Sequence, residues 1–101
     1  MLTIDQVRKD LKEIRYYYSM QDLIDKSARV VPPIRLLKLV NRYNKAMENA
    51  PARLYVVYIS LYLHNNSQPA LASDWGFCEN YIRDLNIMLL EYLQSTVKEE
   101  E

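Results

Sequence analysis

Residues 68–86 read QPALASDWGFCENYIRDLN, and the rest of the chain is organised around them. They hold the only glycine in the protein, Gly76, with Ala72 four positions before it. Apolar side chains fall at Leu71, Trp75, Phe77, Ile82 and Leu85. A helix crossed closely by the next one needs a small residue, which Ala72 supplies. A tight turn between them needs a residue that accepts φ > 0, which Gly76 supplies. On this reading Leu71 and Trp75 face the core from the first helix and Phe77 plugs the turn. Ile82 and Leu85, three apart, anchor the second helix. The pattern is that of a DNA-binding helix-turn-helix. An ordinary helical hairpin closed by a glycine C-cap carries the same signature.

Just before this stretch, His64, Asn65, Asn66 and Ser67 form a polar link. Asn66 or Ser67 is placed to cap the next helix, and Pro69 is tolerated in its first turn. Upstream, LYVVYISLYL at 54–63 is apolar on nearly every side. With Pro51 as its start, it predicts a central helix running to about His64. Tyr55, Tyr58 and Tyr62 lie on it at spacings of three and four, as core-packing rings whose hydroxyls reach water or a partner. Downstream, Ile82, Leu85, Leu89, Tyr92 and Val97 continue one apolar stripe. The second motif helix therefore begins near Cys78 and runs to about Thr96. Its later half should pack on the N-terminal helices or on another subunit.

The N-terminal part predicts two helices. Thr3 and Gln6 form a capping box, with Leu2 and Val7 placed as a hydrophobic staple. Ile4, Val7, Leu11, Ile14 and Tyr18 share a stripe that favours one long helix to about Arg29, kinked near Ser19. A break at Ser19 is the alternative. Pro32 and Pro33 end that element, and Val31 before them is pushed out of helical geometry. Pro33 opens the next helix, whose stripe is Leu36, Val40, Tyr43 and Met47. Residues 1–50 thus form N-terminal helices, 51–97 the helix-turn-helix unit and 98–101 an acidic tail, all in one small domain.

The chain has 101 residues, half of them hydrophobic, with one glycine and four prolines. That composition suits an all-α, compact helical domain with few tight turns. Net charge is zero, so bulk charge does not drive nucleic-acid binding. The distribution is uneven. Between Lys26 and Arg53 stand seven basic residues (Lys26, Arg29, Arg35, Lys38, Arg42, Lys45, Arg53) and one acid, Glu48. From Leu54 onward two basic residues face seven acids. The face with Arg35, Lys38 and Arg42 is either solvated or in contact with phosphate.

Chemistry for an enzyme is missing. His64, the only histidine, has amides and a serine as neighbours, and Cys78, the only cysteine, has no readable base. One cysteine permits no intrachain disulfide and no cysteine cluster, which fits a cytoplasmic setting. There is no glycine-rich phosphate loop, and Asp74, Glu79 and Asp84 are too scattered for a metal site. No cofactor is expected, and no apolar run reaches membrane-spanning length.

Residues 53–93 resemble region 4 of the sigma-70 family, through ISLYLHNNSQ, ALASDWGF and ENYIRDLNIMLLEYL. The whole chain is similar to small phage-type regulators of Firmicutes with a region-4-like fold, the ArpU and RinA-like late-gene activators. KEIRYYYSMQDLIDK and RYNKAMENAPARLYVVYISLYL carry that wider likeness. The resemblance implies a transcriptional regulator that binds promoter DNA through a sigma-70 region 4-like helix-turn-helix, with RNA polymerase as a further partner. Glu79, Asn80, Arg83 and Asp84 then occupy the early, outward positions of the recognition helix. Asn80 suits adenine, Arg83 guanine, and Glu79 or Asp84 cytosine. Gln68 opens the first helix, where phosphate is often met. Such operators are commonly read by homodimers, with the N-terminal stripe or the C-terminal helix as interface. Cys78 stands where serine or threonine usually caps the recognition helix, and that helix is acidic on balance. The alternative is a protein-interaction module on the same fold, gripping RNA polymerase or a phage partner, or a small phage packaging subunit.

Overall fold

The computed structural model describes residues 2–21 and 33–97, and they form helices with no strand among them. Helix α1 is Ile4–Ser19, α2 Ile34–Met47, α3 Ala52–Tyr58, α4 Gln68–Trp75 and α5 Glu79–Thr96. Helix α3 passes without interruption into a π-helical segment, Ile59–Leu63. This rod is central. Its α-helical part packs on α5, and its π-helical part packs on α1 and touches α4. Helices α1, α2 and α5 also pack on one another.

The expected stripes form the core. Val7, Leu11 and Ile14 of α1, Leu36, Val40, Tyr43 and Met47 of α2, and Ile82, Leu85 and Leu89 of α5 are buried. Leu39, Leu90 and Leu93 join them. The end of α5 is clasped to the N-terminal elements: Tyr92 Oη donates to Ala46 O at 2.7 Å, and Gln94 Nε2 donates to Leu2 O at 3.0 Å. The two surfaces considered for a dimer, the α1 stripe and the later half of α5, are thus largely covered within one chain.

Tyrosine hydroxyls tie the helices. Tyr43 Oη donates to Asp10 Oδ2 at 2.7 Å, and Gln6 Nε2 donates to Asp10 Oδ1 at 2.8 Å. This satisfies a carboxyl group that is almost fully buried between α1 and α2. Asn44 links Tyr18 and Tyr58, and Tyr62 Oη donates to Asn86 Oδ1 at 2.6 Å. Burial pushes the Tyr43 hydroxyl far above its ordinary 10.0, helped by the hydrogen bond to Asp10 and that group's charge. Burial likewise raises Tyr58.

Several local expectations are corrected. Of the two readings of the first helix, the break is the one that holds: α1 stops at Ser19, whose Oγ donates back to Tyr16 O at 2.7 Å, while the Met20 amide reaches both Tyr16 O and Tyr17 O. The continuation to Arg29, and the Val31–Pro32 boundary, lie outside the described residues. Thr3 does cap α1, accepting from the Gln6 amide at 3.1 Å. The Gln6 side chain, however, is drawn to Asp10, so the box is half formed. Helix α3 is not buried on every side: Tyr55 and Val56 are exposed.

Candidate nucleic-acid interface

Helices α4 and α5 are joined by three residues, Gly76, Phe77 and Cys78. Ser67 caps α4, accepting from the Ala70 amide at 3.1 Å, with Pro69 in the first turn. Gly76 closes α4 at φ 70°, ψ 25°. The Phe77 amide returns to Ala72 O at 2.9 Å, which satisfies a carbonyl that the helix end would otherwise orphan. A Cβ on Gly76 would meet nothing within 4 Å, so backbone conformation alone demands glycine here. Leu71, Ala72, Ile82 and Leu85 are buried as the pattern requires. Trp75 and Phe77 are not: they stay 38% and 48% exposed. The expectation that they face the core and plug the turn is therefore wrong. Among the described residues no element covers the outer side of the turn to receive them.

Glu79, Asn80, Arg83 and Asp84 are exposed on the first turns of α5. Asn80 and Arg83 share a depression with Glu79, Gln68, Ser67 and Arg15. That depression continues into a groove of about 570 Å³ between α1 and α5. Leu11, Tyr62, Ile87 and Leu90 contribute its apolar side; Arg8, Lys12, Arg15 and Arg83 line it with positive charge. Arg8, Lys12 and Arg15 are spaced four and three apart, so they share one face of α1.

Arg15 is the best fixed of these cations. Its Nε donates to Leu61 O at 3.1 Å, and its guanidinium carbon lies 5.0 Å from the Tyr62 ring centroid. The π-helical segment makes this possible. The His64 amide reaches back five residues to Ile59 O, and the Asn66 amide goes to Ser60 O, leaving Leu61 O to accept from Arg15. Such widened turns recur at functional sites. Burial raises the Tyr62 hydroxyl, while Arg15, the Asn86 bond and Arg8 act the other way.

Of the middle basic block, Lys26 and Arg29 lie outside the described residues, and Arg53 Nη1 donates to Tyr81 Oη at 3.1 Å near the start of α5. Arg35 pairs with Glu13 of α1 at 3.2 Å, and Lys38 is exposed on α2. Arg42 and Lys45 line a separate hollow with Tyr92 and Thr96. Thr96 is about 24 Å along α5 from Asn80. The structure thus brings Gln68, Glu79, Asn80 and Arg83 together, leaves Asp84 one step away on α5, and keeps Arg35 and Arg42 out of the group. Arg8, Lys12 and Arg15 take the place beside Arg83. Their helical spacing was visible in the sequence, but their position against α5 depends on how α1 packs.

Among the described residues no helix is long and apolar enough to cross a membrane, and no three potential ligands gather for a metal ion. Comparison with family models, curated proteins and solved structures gives no match.

Proposed function

We propose that the protein is a sequence-specific DNA-binding transcriptional regulator, of the phage or prophage type that the sequence resembles, reading DNA with the start of α5. One observation carries this most directly: Asn80 and Arg83, exposed immediately after a glycine turn, open into a groove lined by Arg8, Lys12 and Arg15. Arg83 and Asn80 have the bidentate chemistry that major-groove edges require. The α1 cations offer what phosphates require, charge without sequence information. In a chain of zero net charge, gathering four cations along one groove concentrates a field that the whole molecule lacks.

The mechanism is insertion of the first turns of α5 into the major groove, with Gln68 at the start of α4 and the α1 cations on the flanking backbone. The test is a mobility shift with DNA from beside the protein's own gene. Arg83→Ala should abolish sequence preference. Arg8→Ala and Lys12→Ala should weaken all sequences alike and lower the salt slope by about one each. Loss of binding on replacing Arg35, Lys38 and Arg42 instead would move the phosphate contact to α2. Absence of any shift at low salt would favour the second reading, a protein-interaction module; Glu79 and Asp84, which resist approach to phosphate, are the observation behind it.

A further inference from the structure

The three α1 cations of the groove are not held alike. Arg8 and Lys12 are exposed, on long stems that turn freely. Arg15 is half-buried, and its Nε donates to Leu61 O at 3.1 Å. The Tyr62 ring stands against its guanidinium. These two contacts hold the group in place before any ligand arrives. Among the described residues neither Nη nitrogen of Arg15 has an acceptor. Arg35 is the contrast, since Glu13 already takes both of its Nη nitrogens. Gln68 is half-buried and borders both the groove and the depression beside it, as Arg15 does. Its side-chain amide bonds to no described residue. No acid lines the groove; Glu79 borders the depression but pairs with neither Arg15 nor Arg83.

We propose that Arg15 is a preset anchor for one phosphate group, which sits at the mouth of the groove between its Nη fork and the Gln68 amide. A guanidinium offers parallel N–H donors that match a pair of phosphate oxygens. A carboxylate is used up by that fork alone, whereas a phosphate keeps an oxygen for Gln68 and charge for Lys12. Because Arg15 is already ordered, little side-chain freedom is lost on binding. Arg8 and Lys12 add attraction without fixing a position. Arg83 stays available to base edges, and the anchored phosphate sets the register in which it meets them. The inference rests on the DNA reading for the source of the phosphate, but not for the phosphate itself. A phosphate group on a smaller molecule carries the same oxygens.

The probe is inorganic phosphate, titrated at matched ionic strength against sodium chloride and sodium acetate. Magnetic resonance follows the Gln68 side-chain amide and the arginine Nε–H signals. Phosphate should move the Gln68 and Arg15 signals and leave that of Arg35 in place. Arg15→Lys keeps the charge but loses the fork and the Leu61 bond, and should weaken phosphate binding by about tenfold. Arg8→Lys should change it by about twofold or less. Circular dichroism verifies the fold. Should Arg15→Lys unfold the chain, Gln68→Ala decides instead, weakening phosphate by about threefold. A DNA duplex from beside the gene should move the Arg15 signal at far lower concentration than phosphate does. Arg15→Lys should weaken that duplex without changing its salt slope, since no charge is removed. Phosphate that moves the Arg15 signal while the duplex does not would support the anchor, assign it to a free phosphate group and end the DNA reading alone. Phosphate no more effective than chloride or acetate overturns the proposal. So does a folded Arg15→Lys chain that binds phosphate as tightly as the wild type.

Discussion

The two ends of α5 differ in what lies opposite them. Its later half is held on several sides: Leu89, Leu90 and Leu93 are buried, and Tyr92 and Gln94 are bonded to Ala46 and Leu2. At its start the turn stands almost clear, with Trp75 and Phe77 in solvent. Residue type does not explain this, since tryptophan and phenylalanine are as apolar as leucine. Burial follows from whether another element is placed to cover a side chain. The clasped end therefore supplies stability, and the open end is left exposed. The largest expected effect tests that division. Leu93→Ala should cost about 2–5 kcal/mol of unfolding free energy, because it empties a closed site. Phe77→Ala should change it by about 0.5 kcal/mol or less, as a surface position. Urea denaturation of both, at low protein concentration, decides; comparable losses would erase the distinction.

A second test probes the buried polar tie between α1 and α2. Tyr43→Phe removes the hydroxyl that bonds Asp10 and leaves a buried oxygen short of a donor. The expected loss at pH 7 is about 1–3 kcal/mol. The pH dependence has a definite sign. An unfolded tyrosine ionises near 10.0, while the folded Tyr43 hydroxyl is held well above that. Stability from this group is therefore complete below pH 10 and declines as pH climbs past it, by about 1.4 kcal/mol per unit for one proton. Tyr58 adds a decline in the same direction. Denaturation curves at pH 8 to 11 should show the wild type losing stability more steeply than Tyr43→Phe, by about one proton's worth. Parallel curves would mean that Tyr43 ionises equally in both states.

Much of this architecture was legible in the residues. The stripe of α2, the proline start of α3, the serine cap of α4 and the full length of α5 all rest on local signals, and the structure contains them. The unread features depend on distant partners or on geometry that periodicity does not encode. A repeat of 3.6 cannot reveal that residues 59–63 widen into a π-helix, nor that this leaves Leu61 O for Arg15. The end of α1 at Ser19 was legible only as an alternative to a longer helix, since no glycine or proline announces it. At the site, Asn80 and Arg83 could be placed from the turn and the helix start alone. The α1 cations could not, since only the packing of α1 beside α5 brings them to Arg83. The basic block of 26–53 drew attention by its density, yet density along a chain does not set direction in space.

The smallest effect concerns the open end itself, and it compares two helix starts in one hairpin. Ser67 and Cys78 adopt nearly the same backbone conformation, φ −80°, ψ 159° and φ −79°, ψ 154°. Ser67 accepts from the amide three residues on; Cys78 makes no side-chain cap at all. A thiol is a weak acceptor, so the Tyr81 amide has the Cys78 carbonyl alone, at 3.2 Å, where a hydroxyl would add a second acceptor. Because the backbone is already in capping geometry, Cys78→Ser needs no rearrangement to bond the Tyr81 amide. It should raise unfolding free energy by about 0.5–1 kcal/mol. Since Cys78 is exposed, lost thiol packing should offset little of that gain. Hydrogen exchange at the Tyr81 amide provides the local readout, slowing in the variant if the new bond forms. A variant with unchanged exchange and stability would show that the Cys78 carbonyl already satisfies the Tyr81 amide. The first turns of α5 would then depend on the clasp at the other end of the helix for their order.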